Sequence, residues 1–197
     1  MYTLSTSDRT YHHGNLREAL VDAALELIES DGEVSLRAAA RRAGVSAMAP
    51  YRHFADKTQL LSAVAERGFR AFAAALRAAD AAPDGWTALV EQGVAYVRFA
   101  VERPALFKLM YVAGPVVDDP ACADAALSSQ SILSQRIAGL LPKAERQAAT
   151  VAAWSLVHGF ALLALEGRLR SLPHELEDLA RAAAQRLVDG LRGKVAV

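Results

Sequence analysis

Along residues 16–30 the apolar positions Leu16, Ala19, Leu20, Ala23, Leu27 and Ile28 recur three and four apart, which predicts an amphipathic helix ending at Asp31-Gly32. Asn15 with Glu18 forms a capping box at its start. The same spacing returns at Leu36, Ala39, Ala40 and Ala43, with Arg37, Arg41 and Arg42 on the opposite side and Ser35 as N-cap. Gly44 stands where a left-handed residue ends a helix at little cost, and Ser46 is positioned to cap a second short helix over about 47–53. Pro50 lacks an N–H and restricts Ala49, so this second helix is expected to be irregular or partly 3₁₀. Two short helices around one sharp turn read as a helix-turn-helix.

Asp56 and Gln59 cap the next helix, which runs to about Ala79 with Leu60, Leu61, Val64, Phe69, Phe72 and Leu76 on its inner side. The Ala81-Ala82-Pro83-Asp84-Gly85 break follows. Beyond it the pattern predicts helices over 86–101, from Pro104 to Tyr111, and over 121–140, 144–169 and 175–191, with Gly114-Pro115 and Asp119-Pro120 bracketing a loop. That makes about nine helices and an all-α fold. The run over 151–165 is apolar nearly all round, which predicts a central helix. On the last helix Leu176, Leu179, Ala183 and Leu187 make one stripe and Ala180, Ala184, Val188 and Leu191 another. Two stripes exceed what one intrachain contact uses, so the last two long helices are expected to form a two-fold dimer.

Composition agrees with helix: 53% of the 197 residues are hydrophobic, alanine dominates, and β-branched and aromatic runs are scarce. Charge sharpens the picture. The 22 basic and 22 acidic residues cancel over the whole chain, which argues against an indiscriminate polyanion binder. Over residues 34–57, however, Arg37, Arg41, Arg42, Arg52 and Lys57 face only Asp56. A local excess of that kind beside Tyr51 and His53 suits phosphate binding. The single cysteine, Cys122, excludes an intramolecular disulfide. No apolar stretch reads as long and uninterrupted enough to span a bilayer, and residues 1–10 lack the features of a secretory signal, so a cytoplasmic location is expected. His12 and His13 are adjacent and point apart. They are read as part of an arm touching DNA, with no metal or cofactor expected.

Tyr51-Arg52-His53-Phe54, then Ala55-Asp56-Lys57 and Leu60-Leu61, resemble the tetracycline-repressor (TetR) family. Its DNA-binding domain ends with a similar Tyr-x-His-Phe, a turn and a lysine opening a long helix. The likeness covers about Leu16 to Val64, and Tyr11-His12-His13-Gly14-Asn15-Leu16 looks like one branch of the family. Trp154, His158 and Gly159 resemble the Trp-His-Gly regulatory domain attached to some members. The resemblance implies a three-helix DNA-binding domain over residues 1–66 and a helical effector-binding and dimerisation domain over 67–197. It implies a homodimeric transcription regulator, a repressor released from a double-stranded DNA operator by a small apolar effector.

The candidate DNA contacts are Ser35, Arg37, Ser46, Ala47, Met48, Tyr51, Arg52, His53 and Lys57. Ser46, Ala47 and Met48 offer methyl contacts and one hydroxyl rather than bidentate base readout. The candidate ligand contacts are Phe99, Phe107, Met110, Tyr111, Trp154 and His158, an aromatic and adaptable set with one polar orienting group. Trp154 and His158 are four apart and share a helix face. Two other classes fit the chain less well. A helical interaction module would use the basic patch on an acidic partner, and a helical-bundle enzyme would use His158. No Ser or Cys partner stands near His158 at a recognisable motif, and there is no glycine-rich phosphate loop, so no catalysis is expected.

Overall fold

The computed structural model describes residues 16–30, 34–111, 119–171 and 175–195. Among them the chain forms α1 (Leu16–Glu29), α2 (Leu36–Arg42), a 3₁₀ helix (Ala49–Arg52), α3 (Lys57–Asp80), α4 (Gly85–Glu102), α5 (Pro104–Tyr111), α6 (Pro120–Leu140), α7 (Lys143–Leu165) and α8 (Leu176–Val195). The fold is all-α. Asn15, the arm and the bracketed loop lie outside the described residues. Two compact units divide the chain, Met1–Leu60 and Leu61–Val197, so the division falls inside α3.

In the first unit α1 buries Leu20, Val21, Ala23 and Ala24, and α2 buries Leu36, Ala38, Ala39 and Ala40. The small side chains of α2 let it pack on α1 and on the 3₁₀ helix. Ser35 caps α2 by accepting a hydrogen bond from the Ala38 N–H at 3.1 Å. The helix stops at Gly44, whose φ is 72°, where the Gly44 N–H donates to Arg41 and the Val45 N–H to Ala40. These two bonds are the Schellman closure that a left-handed glycine permits. Ser46, expected to cap the next helix, does not do so. The N-cap position falls to Met48, which makes no side-chain cap bond. Pro50 is the reason. It confines regular structure to the four residues Ala49–Arg52, in the tighter 3₁₀ form that the sequence pattern anticipated.

The second unit is organised around α4, which packs against α5, α6, α7 and α8 and buries residues along its whole length. The prediction that residues 151–165 form the central helix is therefore corrected: α7 buries only Ala149, Ala153 and Ala161. By length and composition α7 is apolar enough to cross a membrane, which corrects the reading that no stretch qualifies, yet only 17% of its most apolar part is buried within this chain. Periodicity counts apolar neighbours on every side without saying which molecule supplies them. α7 also ends four residues earlier than predicted. Gly167, at φ 71°, takes the left-handed position, and the Arg168 N–H closes back on Leu163 at 2.9 Å.

Salt bridges tie α8 to α4. Arg98 holds both carboxylate oxygens of Glu177 at 2.7 Å, and Arg181 pairs with Glu91. On α8 the stripe of Ala180, Ala184 and Val188 is buried, while Leu176, Leu179, Ala183 and Leu187 are only half-buried.

Candidate functional site

Two surfaces carry the chemistry, one in each unit. In the first, Met48 is 70% exposed and Tyr51 46% exposed, although both are large and apolar in body. Ala47, Ser46, Arg37, Arg52, His53 and Lys57 are exposed as well, whereas Ser35 is half-buried with its side-chain oxygen engaged in the α2 cap. The reason for this exposure is local. Pro50 and Phe54 turn inward and are buried, so the residues between and before them are left facing water. The Arg17 guanidinium lies 5.6 Å over the Phe54 ring, which fixes the inner end of the segment.

The structure changes the charge count. Arg42 is paired with Glu26 at 2.8 Å, so it contributes little positive field to the patch. Arg37, Arg41, Arg52 and Lys57 have no acidic partner among the described residues. Asp56 is occupied in capping α3, where it accepts from the Gln59 N–H at 2.9 Å, while Gln59 Oε1 accepts from the Ala55 N–H at 2.8 Å. Four cations without an acidic partner among the described residues thus stand exposed with a tyrosine and a histidine on one compact unit, the residue types that contact phosphates.

In the second unit α4, α6, α7 and α8, with Phe72 and Leu76 of α3 and Tyr111 of α5, line a partly open cavity of about 350 Å³. Its aromatic lining is Phe72, Tyr96, Tyr111 and Trp154. Among the described residues its polar lining is Gln92, Ser129, Gln130, Ser131, Ser134 and Thr150, with no Asp, Glu, Lys or Arg. Of the residues that the sequence nominated, Tyr111 and Trp154 line this cavity. Phe99, Phe107 and Met110 are buried elsewhere in the core and do not line it, and neither does His158. Their spacing on α4 and α5 was correct for an inward face. The inward face points to the aromatic cluster behind the cavity, where Phe107 packs on Tyr96, Tyr111 and His158 at centroid distances of 5.8, 4.9 and 5.8 Å.

His158 closes that cluster rather than the cavity. Its Nδ1 lies 2.8 Å from the Tyr96 hydroxyl oxygen, and burial lowers its pKa, which favours the neutral ring. Burial also pushes the Tyr96 phenol up and the Tyr111 phenol up to about 12, so both remain protonated. Gln92, Tyr96 and the α6 serines were missed by the sequence reading. A glutamine inside the apolar α4 run and a serine-rich face on α6 were the available signals.

Comparisons with known proteins bear on both units. The family described as "Bacterial regulatory proteins, tetR family" matches residues 20–64, and the one described as "Tetracyclin repressor-like, C-terminal domain" matches residues 89–187. A protein of unknown function from Rhodococcus sp. RHA1 is 32% identical, with 93% of this chain and 99% of that one covered and a TM-score of 0.80. A TetR transcriptional regulator from the same organism is 25% identical, with 87% and 94% covered and a TM-score of 0.63. The fatty acid degradation regulator FadR from Bacillus halodurans shares the fold at 16% identity, with 89% and 96% covered and a TM-score of 0.67. No curated protein sequence matches the chain.

Proposed function

Because this chain belongs to the TetR family and is a DNA-binding transcription regulator, we propose that it acts in the cytoplasm as a homodimeric repressor released from its operator by a small apolar effector. DNA contact is assigned to Arg37, Ala47, Met48, Tyr51, Arg52, His53 and Lys57. Ser46 offers a hydroxyl beside them, and Ser35 acts mainly by holding α2 in place. The effector site is assigned to the cavity walled by Phe72, Tyr96, Tyr111 and Trp154.

The observation that carries the reading is α3. It is one continuous helix that begins at Lys57 and contributes Phe72 and Leu76 to the cavity wall. A ligand that displaces either side chain acts on the helix that carries a phosphate contact. For release to follow, the ligand must bind one arrangement of the two DNA-reading units better than the other, and a differential of about 1 to 3 kcal/mol changes operator affinity roughly 5- to 150-fold.

The exposed apolar surface of α7 supports the dimer. Leu163, which does not line the cavity, is 45% exposed on a helix that a second copy would cover. No catalytic step is assigned. Cys122 is buried and its thiol is pushed up to about 11, the opposite of an activated nucleophile.

Selection of bound duplexes from a random pool tests the reading. A palindromic site is expected, with affinity that falls when an apolar compound saturates the cavity. Failure to enrich any duplex, or an operator affinity that no cavity-binding compound alters, would overturn it.

A further inference from the structure

The Gln92 side chain in the cavity wall is one-sided in its hydrogen bonding. Gln92, only 3% exposed, donates from Nε2 to Asp80 Oδ1 at 2.5 Å, and the same oxygen accepts from Arg136 Nε at 2.7 Å. The Arg136 hydrogen bond holds the Asp80 carboxyl below its usual range, so Asp80 is an ionised group that only accepts. That fixes the amide: nitrogen toward Asp80, oxygen away. Gln92 Oε1 is consequently left buried with no partner among the described residues.

The serine and threonine hydroxyls in the wall have the same bias. Ser129 donates to the Ala126 carbonyl at 2.7 Å, Ser131 to Ser128 at 2.8 Å, Ser134 to Ser131 at 3.0 Å and Thr150 to Arg146 at 2.8 Å. Each commits its one proton to its own helix and retains acceptor lone pairs. Gln130 is exposed, so water competes for it. With no Lys or Arg among the described lining residues, a carboxylate or phosphate would meet no counter-charge.

We propose that the cavity selects an uncharged, mostly apolar molecule carrying a hydroxyl or N–H donor, and that Gln92 Oε1 receives that donor. The inference rests on the reading of this cavity as the effector site. A buried acceptor left unpaired is costly, so a donor-bearing ligand gains over an equally apolar one that lacks it.

Calorimetry on the full chain tests this with n-decanol and β-naphthol, each beside its methyl ether and the matching carboxylate. The alcohols are expected to bind roughly 5- to 100-fold more tightly than the ethers, with the carboxylates weakest. Gln92→Leu leaves the Asp80 and Arg136 pair in place and should shrink the alcohol-to-ether ratio to within about twofold while the ether binds as before. Gln92→Met serves if the leucine variant does not fold, and the wild-type comparison decides alone if neither does. Equal binding of alcohol and ether, tightest binding of a carboxylate, or a ratio that survives in a folded variant overturns the donor inference and leaves the cavity as an effector site. Binding by no member of either series overturns the effector-site reading itself, and the inference with it.

Discussion

The Tyr96 hydroxyl oxygen and Nδ1 of His158 lie 2.8 Å apart, so the histidine is held from within the aromatic cluster instead of being presented to a ligand. Tyr96 itself faces the cavity. A ligand in the cavity would meet the tyrosine, whose hydroxyl the histidine holds.

This arrangement makes stability depend on pH in a defined direction. Burial lowers the His158 pKa below its ordinary 6.5, so the unfolded chain binds a proton more readily than the folded one. The His158 contribution is fully present above the unfolded value and is lost as pH falls through it toward the lower folded value. Asp80 and Glu177, whose carboxyls are held below their ordinary range, lose their contributions only in more acidic solution. The melting temperature should drop between about pH 7.5 and about pH 5, and His158→Gln should flatten that drop. An equally steep profile in the variant, followed by circular dichroism, would show that another group is responsible.

The charge on the first unit separates two arginines and a lysine that the sequence treats alike. Lys57→Ala should reduce the slope of log affinity against log salt on operator DNA by roughly one per subunit, and Arg37→Ala should act in the same direction. Arg42→Ala should leave the slope nearly unchanged, because Glu26 already neutralises that side chain. Titrations at several salt concentrations read all three, and an Arg42 effect as large as that of Lys57 would refute the assignment.

Two glycines with open space around them should respond oppositely to alanine. Neither Gly44 nor Gly139 has any atom within 4 Å of an added Cβ. Gly44 is left-handed at φ 72°, so Gly44→Ala should destabilise the fold by about 1 to 2 kcal/mol. Gly139 lies within α6 and is exposed, so Gly139→Ala should stabilise by up to about 1 kcal/mol. Denaturant unfolding gives both signs, and a neutral Gly44→Ala would mean that the turn can adopt another form.

The apolar face of α7 gives a test of assembly. Leu163 is 45% exposed on a helix that this chain leaves largely uncovered. Leu163→Glu should convert a sedimenting dimer into a folded monomer with unchanged helix content, since the side chain has room in the single chain. A variant that remains dimeric would move the interface away from this part of α7.

The sequence by itself determined the elements and some of their ends. Helical spacing, the Ser35 cap, the proline start at Pro104 and the left-handed Gly44 are all local effects, acting within a turn of the residue concerned. The basic patch was legible for the same reason, because the turn, Pro50 and Phe54 decide exposure over a few residues. Only the tertiary structure decided which helix is central, since α4 and α7 are both apolar and periodicity does not say what covers them. It also decided that Arg42 meets Glu26, a pairing across two helices that local spacing does not encode. The cavity was least legible. Phe107 and His158 were chosen as inward-facing aromatics, and they do face inward, but a helix has several inward neighbours. The Tyr96 hydrogen bond and the packing of α5 directed them into the cluster, while Gln92 and the α6 serines were left to form the cavity wall.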